Sequence, residues 1–160
     1  MERLLRKTLR GGRFVSVPPK RSALMGRIRG KGNRTTEVPL RLALVRSGIR
    51  GWKLHDSGLP GKPDFYFPSA GLAIFVDGCF WHGCAKCGHM PKTNAGFWTA
   101  KLLRNKQRRN LVKRDLKHLG IRVLSFWEHE ICRDLGRVTK KVVDALEMRL
   151  GFGSENTNLK

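Results

Sequence analysis

The stretch "VDGCFWHGCAKCGHM", Val76 to Met90, restricts this 160-residue chain more than any other part of it. Three of the chain's four cysteines fall in the pattern Cys79-x4-Cys84-x2-Cys87. Thiolates so close together suit tetrahedral zinc, which then needs a fourth ligand from elsewhere. Candidates are His129 and Cys132 in "FWEHEIC", and His89 nearby. His129 is preferred, because it follows a strand whose end should lie beside the loop. The alternative is a set of buried free cysteines. A closed four-ligand zinc site is structural: it pins the loop and leaves no open coordination position for catalysis. Asp77, His82 and the Phe80-Trp81 pair therefore need a separate account.

Charge narrows the partner. Lys and Arg total 33 against 12 Asp and Glu, a net charge of +21. A field of that sign selects polyanions, foremost nucleic acid, with a ribosome-bound or membrane-surface protein as the alternatives. No apolar run approaches the ~18–20 residues of a membrane span. No hydrophobic signal segment opens the chain, so the cytoplasm is expected, in association with the nucleoid. Cysteines kept reduced there favour metal over disulfides.

Residues 1–34 are rich in Arg, Lys and Gly and read as a flexible basic arm, with a short helix about "SALMGRIR". Residues 35–150 read as one domain and 151–160 as a loose tail. A helix begins at "TTEVPLRLALVRSG", capped by Thr35 or Thr36 and stopped by Gly48. Glu37 lies in its first turn, where the helix dipole favours a carboxylate, so it is either a capping residue or a site residue. Extended segments follow at "GWKLHD", "DFYFP" and "GLAIFVD". A long helix from Asn94 to Leu119 carries an apolar stripe and a cationic face. "IRVLSFW" is a buried strand, and a last amphipathic helix covers about 134–150. Helix, three strands, helix, strand, helix predicts an α/β fold: a mixed sheet with helices on its faces.

Asp64 and Asp77 begin and end a tight hairpin around "PSAG". A turn centred between Ala70 and Gly71 sets them directly opposite, with Cβ atoms roughly 5 Å apart. Carboxylates at that spacing repel unless a cation lies between them or one is protonated. "PD" at 63–64 followed by an acid at a strand end is a nuclease-like arrangement. The carboxylates would hold Mg²⁺ against a scissile phosphate, and His82 would take or give a proton.

The blocks "LPGKPDFYFP", "AIFVDGCFWHGC", "FWxxKxxxN" and "RVLSFWEHE" resemble the very short patch repair (Vsr) endonucleases, over roughly 21–133. The resemblance implies a restriction-endonuclease-like fold and a monomeric enzyme that nicks double-stranded DNA at T:G mismatches, working with mismatch-repair proteins. It implies that Asp64 is the essential Mg²⁺ ligand, assisted by a backbone carbonyl near Val76. His82 would serve the hydrolysis, and Glu37 would orient water at the metal. Cys79, Cys84, Cys87 and His129 would hold structural Zn²⁺. Phe80, Trp81 and Trp98 would enter the base stack, with Lys101 and Asn105 completing the DNA contacts. The chain departs from the pattern at Asp77, where the best-studied members carry a second histidine, which gives Asp77 a tentative role as a further Mg²⁺ ligand. It also departs in the Cys84-to-Cys87 loop, and at Arg109, where an acid is expected.

Overall fold

The computed structural model describes residues 33–150, and before them two short strands. These strands, β1 (Leu9–Arg10) and β2 (Arg13–Phe14), pair antiparallel within the basic segment. The rest of the predicted arm, the helix about "SALMGRIR" and the tail at 151–160 lie outside the described residues. The main body runs α1 (Glu37–Arg46), β3 (Lys53–Leu54), β4 (Phe65–Phe67), β5 (Leu72–Asp77), α2 (Ala95–His118), β6 (Arg122–Trp127), α3 (Glu128–Arg133) and α4 (Leu135–Leu150). Among the described residues no helix is long and apolar enough to cross a membrane.

The four strands form one mixed sheet in the order β3-β4-β5-β6, antiparallel except for the parallel pair β5-β6. Strand residues point alternately to the two faces, and each face has its own core. On one, Leu72, Ile74, Phe65, Phe67 and Phe126 meet Leu40 and Leu44 of α1 and Val138, Val142 and Leu146 of α4. On the other, Ala73, Phe75, Tyr66 and Val123 meet Val112 and Leu116 of α2. The mixed α/β sheet flanked by helices is the one the element order predicts.

Both helix stops follow the sequence. Gly48 and Gly120 adopt left-handed backbone, φ +75° and +71°. The N–H of the next residue returns to the last turn, Ile49 to Leu44 O and Ile121 to Leu116 O. In each case the two apolar side chains join the same core, which completes the C-terminal cap. The predicted starts differ. Thr36 and Asn94 make no side-chain cap bonds, and Asn94 is itself left-handed at φ +55°. The turn before α1 closes on Asn33, whose carbonyl accepts from the Thr36 and Val38 N–H groups. The sequence reading also omits α3. The Glu130 carboxylate accepts the Trp127 N–H at 2.8 Å and starts this short helix, and Asp134 caps α4 through the Arg137 N–H.

The hairpin register corrects one expectation. Phe67 pairs with Leu72 and Phe65 with Ile74, so the turn is centred between Ser69 and Ala70. The Gly71 N–H bonds to Pro68 O and closes that four-residue turn. Continuing the ladder sets Asp64 across from Phe75, so Asp64 and Asp77 are not directly opposed.

Candidate active site and metal centre

The topology brings one end of every main-sheet strand to the same rim. β5 and β6 are parallel, with Asp77 beside Trp127, so the residues that follow them, Cys79 and His129, emerge together. β4 is antiparallel to β5, so the residue before it, Asp64, lies at that rim too. β3 is antiparallel to β4 with Leu54 paired to Phe65, so His55 and Asp64 flank the same pair. Four groups of side chains occupy the rim.

The first is the cysteine cluster. His129 Nδ1 lies 3.3, 3.5 and 3.4 Å from the sulfurs of Cys79, Cys84 and Cys87, and the Cys84 and Cys87 sulfurs are 3.5 Å apart. Bonds of ~2.3 Å to sulfur and ~2.0–2.1 Å to nitrogen give tetrahedral edges of about 3.6–3.8 Å, close to these separations. The cluster is therefore compatible with a tetrahedral metal ion. The fold builds it tightly. The Cys84 N–H bonds to Cys79 O, and the Gly88 N–H to Cys84 O at 2.8 Å. A Cβ at Gly88 would meet that carbonyl at 2.4 Å, so only glycine fits. Glu128 accepts the Cys79 N–H at 3.1 Å. Without a cation, burial and then the neighbouring Cys87 push the Cys79 thiol up to about 12, so a bound ion has to displace that proton. His129 is thus the fourth member. Cys132 is exposed, its sulfur toward Thr35 O at 3.7 Å, and His89 packs on Phe80.

The second group is Glu37, His55 and Asp64, whose ligand atoms lie within 4.8 Å of one another. His55 Nε2 is 3.1 Å from Glu37 Oε2, and Nδ1 is 3.7 Å from Asp64 Oδ1. The other Asp64 oxygen accepts the Val76 N–H at 2.6 Å. Burial, with added repulsion from Glu37 and Asp77, raises the Asp64 carboxyl to about 7 despite that hydrogen bond. Two carboxylates and an imidazole so arranged fit a divalent cation.

The third group is Asp77, His82 and Arg109. Asp77 is buried and ion-pairs with the Arg109 guanidinium, which lies over the Trp127 ring at 4.9 Å. His82 Nδ1 stands 3.6 Å from the other Asp77 oxygen. Burial holds the His82 imidazole below its ordinary pKa; Asp77 opposes this and Arg109 adds to it. Beside this group a pocket of about 100 Å³ is lined by Gly61, Asn105, Arg108, Arg109, Lys113 and Ser125, among others. Gly61, at φ +76°, is needed there: a Cβ would meet Val112 Cγ1 at 2.5 Å, so the "PGKPD" loop seats directly on α2.

The fourth group is aromatic. Phe80 lies 5.1 Å from Trp81 and 5.0 Å from Trp98 between ring centres, with Phe97 beyond at 5.3 Å from Trp98. Phe80 and Trp81 are half-buried and belong to neither sheet core. Lys101 Nζ sits 5.1–5.6 Å from the Trp81, Trp98 and Phe97 rings. The Asn105 amide donates to Trp81 O at 2.8 Å.

Asp64 and Glu37 thus share one group, and Asp77 and His82 another. Asp77 is absent from the carboxylate cluster and is paired with Arg109 of α2 instead. The sequence reading missed His55. Its signal was a histidine ending the "GWKLHD" strand, which the short "SGLPGKP" connection folds back beside Asp64.

Residues 15–88 match the family described as DNA mismatch endonuclease Vsr. The type II nicking enzyme V.NaeI of Lentzea aerocolonigenes is 43% identical over 115 residues, 69% of this chain and 67% of that one. V.NmeAIP of Neisseria meningitidis serogroup A is 36% identical over 140 residues, 82% and 98% of the two chains. The DNA mismatch endonuclease Vsr of Escherichia coli K12 is 35% identical over 125 residues, 77% and 78%. On these matches, the chain belongs to the Vsr family of DNA endonucleases.

Proposed function

We propose that this endonuclease nicks one DNA strand at a T:G mismatch, by metal-assisted hydrolysis of a phosphodiester. The observation that carries the reading is the convergence of the Glu37-His55-Asp64 cluster, the Asp77-His82 pair and an aromatic group at one sheet rim. The strand order and the Asp64 position at the start of β4 support a restriction-endonuclease-like fold. Asp64 and Glu37 are the acidic ligands of the catalytic divalent cation, Mg²⁺ in the family reading. When bound, that ion supplies charge stabilisation at the scissile phosphate and acidifies water. Asp64 would offer that ion an oxygen, and its bond to the Val76 N–H fixes the carboxylate in place. His82, its pKa held down by burial, accepts or returns a proton at the reacting phosphate. The Asp77 carboxylate, 3.6 Å from its Nδ1, acts on it through charge and is a positioning residue. Zn²⁺ fills the cysteine cluster as a structural ion.

Recognition divides between charge and rings. Arg108, Arg109 and Lys113 line a pocket that suits a backbone phosphate. Phe80 and Trp81, backed by the buried Trp98, enter the stack at the mismatch, where opening a step costs less than at a paired site. Lys101, among these rings, and Asn105, at the basic pocket, complete the DNA contacts. The enzyme works as a monomer on chromosomal DNA in the cytoplasm, alongside mismatch-repair proteins.

A circular duplex carrying one T:G pair tests this reading against a fully paired circle. The expected product is a nicked circle from the mismatched substrate alone. Linear product from both would make the protein a two-strand cutter, and binding without cleavage would make it a zinc-stabilised DNA-binding module.

A further inference from the structure

The donor set at Glu37, His55 and Asp64 contains an imidazole. Mg²⁺ is a hard ion that takes oxygen ligands and gives up its water reluctantly, whereas imidazole suits first-row transition ions. We infer that His55 is a direct ligand of the catalytic cation and that the centre prefers a transition ion such as Mn²⁺ over Mg²⁺. The inference rests on reading this cluster as a metal centre.

Three observations bear on it. The backbone of His55 is left-handed, φ +49°, in a residue other than glycine. Such a conformation costs about 1 kcal/mol or more, and here it ends β3 where the ring meets both carboxylates. Next, the ring is not placed as a simple bridge between acids. Nε2 reaches Glu37 at 3.1 Å, but Nδ1 stops 3.7 Å from Asp64, outside hydrogen-bond length. Finally, ligand atoms within 4.8 Å of each other fit around an ion with bonds of about 2.0–2.4 Å. The three side chains are 12–18% exposed, which leaves the centre open to an entering ion and to substrate.

Titration calorimetry of the full, zinc-loaded chain with Mn²⁺ and with Mg²⁺ at constant ionic strength reads the preference directly. Mn²⁺ should bind at least ~10-fold more tightly. Pulsed electron paramagnetic resonance of the Mn²⁺ complex should show coupling to an imidazole nitrogen. His55→Gln should remove that coupling and most of the Mn²⁺ advantage over Mg²⁺. His55→Asn, a residue at ease with left-handed backbone, repeats the test with no added strain. Asp64→Asn should abolish Mn²⁺ binding, which separates this centre from His129 in the cysteine cluster. Equal affinities for the two ions overturn the inference. So does a nitrogen coupling or Mn²⁺ preference that survives both His55 variants, or Mn²⁺ binding that survives Asp64→Asn. A protein that holds Mn²⁺ through His55 yet cuts no DNA upholds the inference and overturns the nuclease reading instead.

Discussion

Two clusters at the same sheet rim can each hold a metal ion, and they are built in opposite ways. Three of the four residues in the cysteine cluster come from one nine-residue loop, and its sulfurs and nitrogen are already packed at tetrahedral spacing. Glu37, His55 and Asp64 come from a helix start, a strand end and a strand start, and their spacing is loose. Soft donors in a closed shell hold an ion permanently and lend its binding energy to folding. Oxygen-rich donors in a partly buried cluster that reaches the surface leave positions for water and phosphate. On the function proposed above, the contrast separates an ion that would shape the protein from one that would do chemistry.

Removing a sulfur should have the largest effect. Zinc binding in small domains is worth roughly 10 kcal/mol or more of folding free energy. Cys84→Ser should therefore lose cooperative thermal unfolding and the equivalent of zinc that the parent carries. A variant that melts like the parent, with no zinc in either, would remove the structural half of the comparison.

Asp64→Ala should do the reverse. It should fold, keep zinc, bind DNA as well as the parent or better, and lose nicking by several orders of magnitude. Near-normal nicking would end the assignment of the second cluster to catalysis.

The loop pinned by the cysteines also carries Phe80 and Trp81. Phe80→Ala with Trp81→Ala should retain zinc and general DNA affinity, which phosphate contacts dominate, but lose the preference for T:G over T:A duplexes. A mutant that keeps its preference would show that the rings only pack with Trp98 and serve the fold.

The smallest effect is the most diagnostic of an open cluster. The Asp64 carboxyl titrates at about 7 in the fold against 3.8 unperturbed. The folded state therefore retains a proton that the unfolded chain has lost, and this group's contribution to stability falls as pH rises through that window. Asn cannot titrate. Without added divalent cation, the stability advantage of Asp64→Asn over the parent should grow by about 1 kcal/mol between pH 6 and pH 8. Urea melts at the two pH values measure it, and a constant difference would mean that Asp64 is ionised throughout.

Features that depend on near neighbours were legible in the chain. The cysteine spacing, the glycine stops at Gly48 and Gly120, and the short apolar runs that make β5 and β6 strands each involve residues a few positions apart. Local geometry fixes such features before any long-range contact forms. His129 was also within reach, because a parallel pair delivers both strand ends to one side. The hairpin register was not. It turned on whether Pro68 to Gly71 closes as a four-residue turn, and a shift of a few ångströms there decides which carboxylates meet. Tertiary structure then gave Asp77 to Arg109 across the α2 face and gave Asp64 to Glu37 and His55. The sequence determined which chemical groups were available and which of them sat on one loop. Only the packed sheet, through strand order and register, chose the partners of each carboxylate, because Coulomb and coordination energies depend on distances that no sequence spacing sets across separate elements.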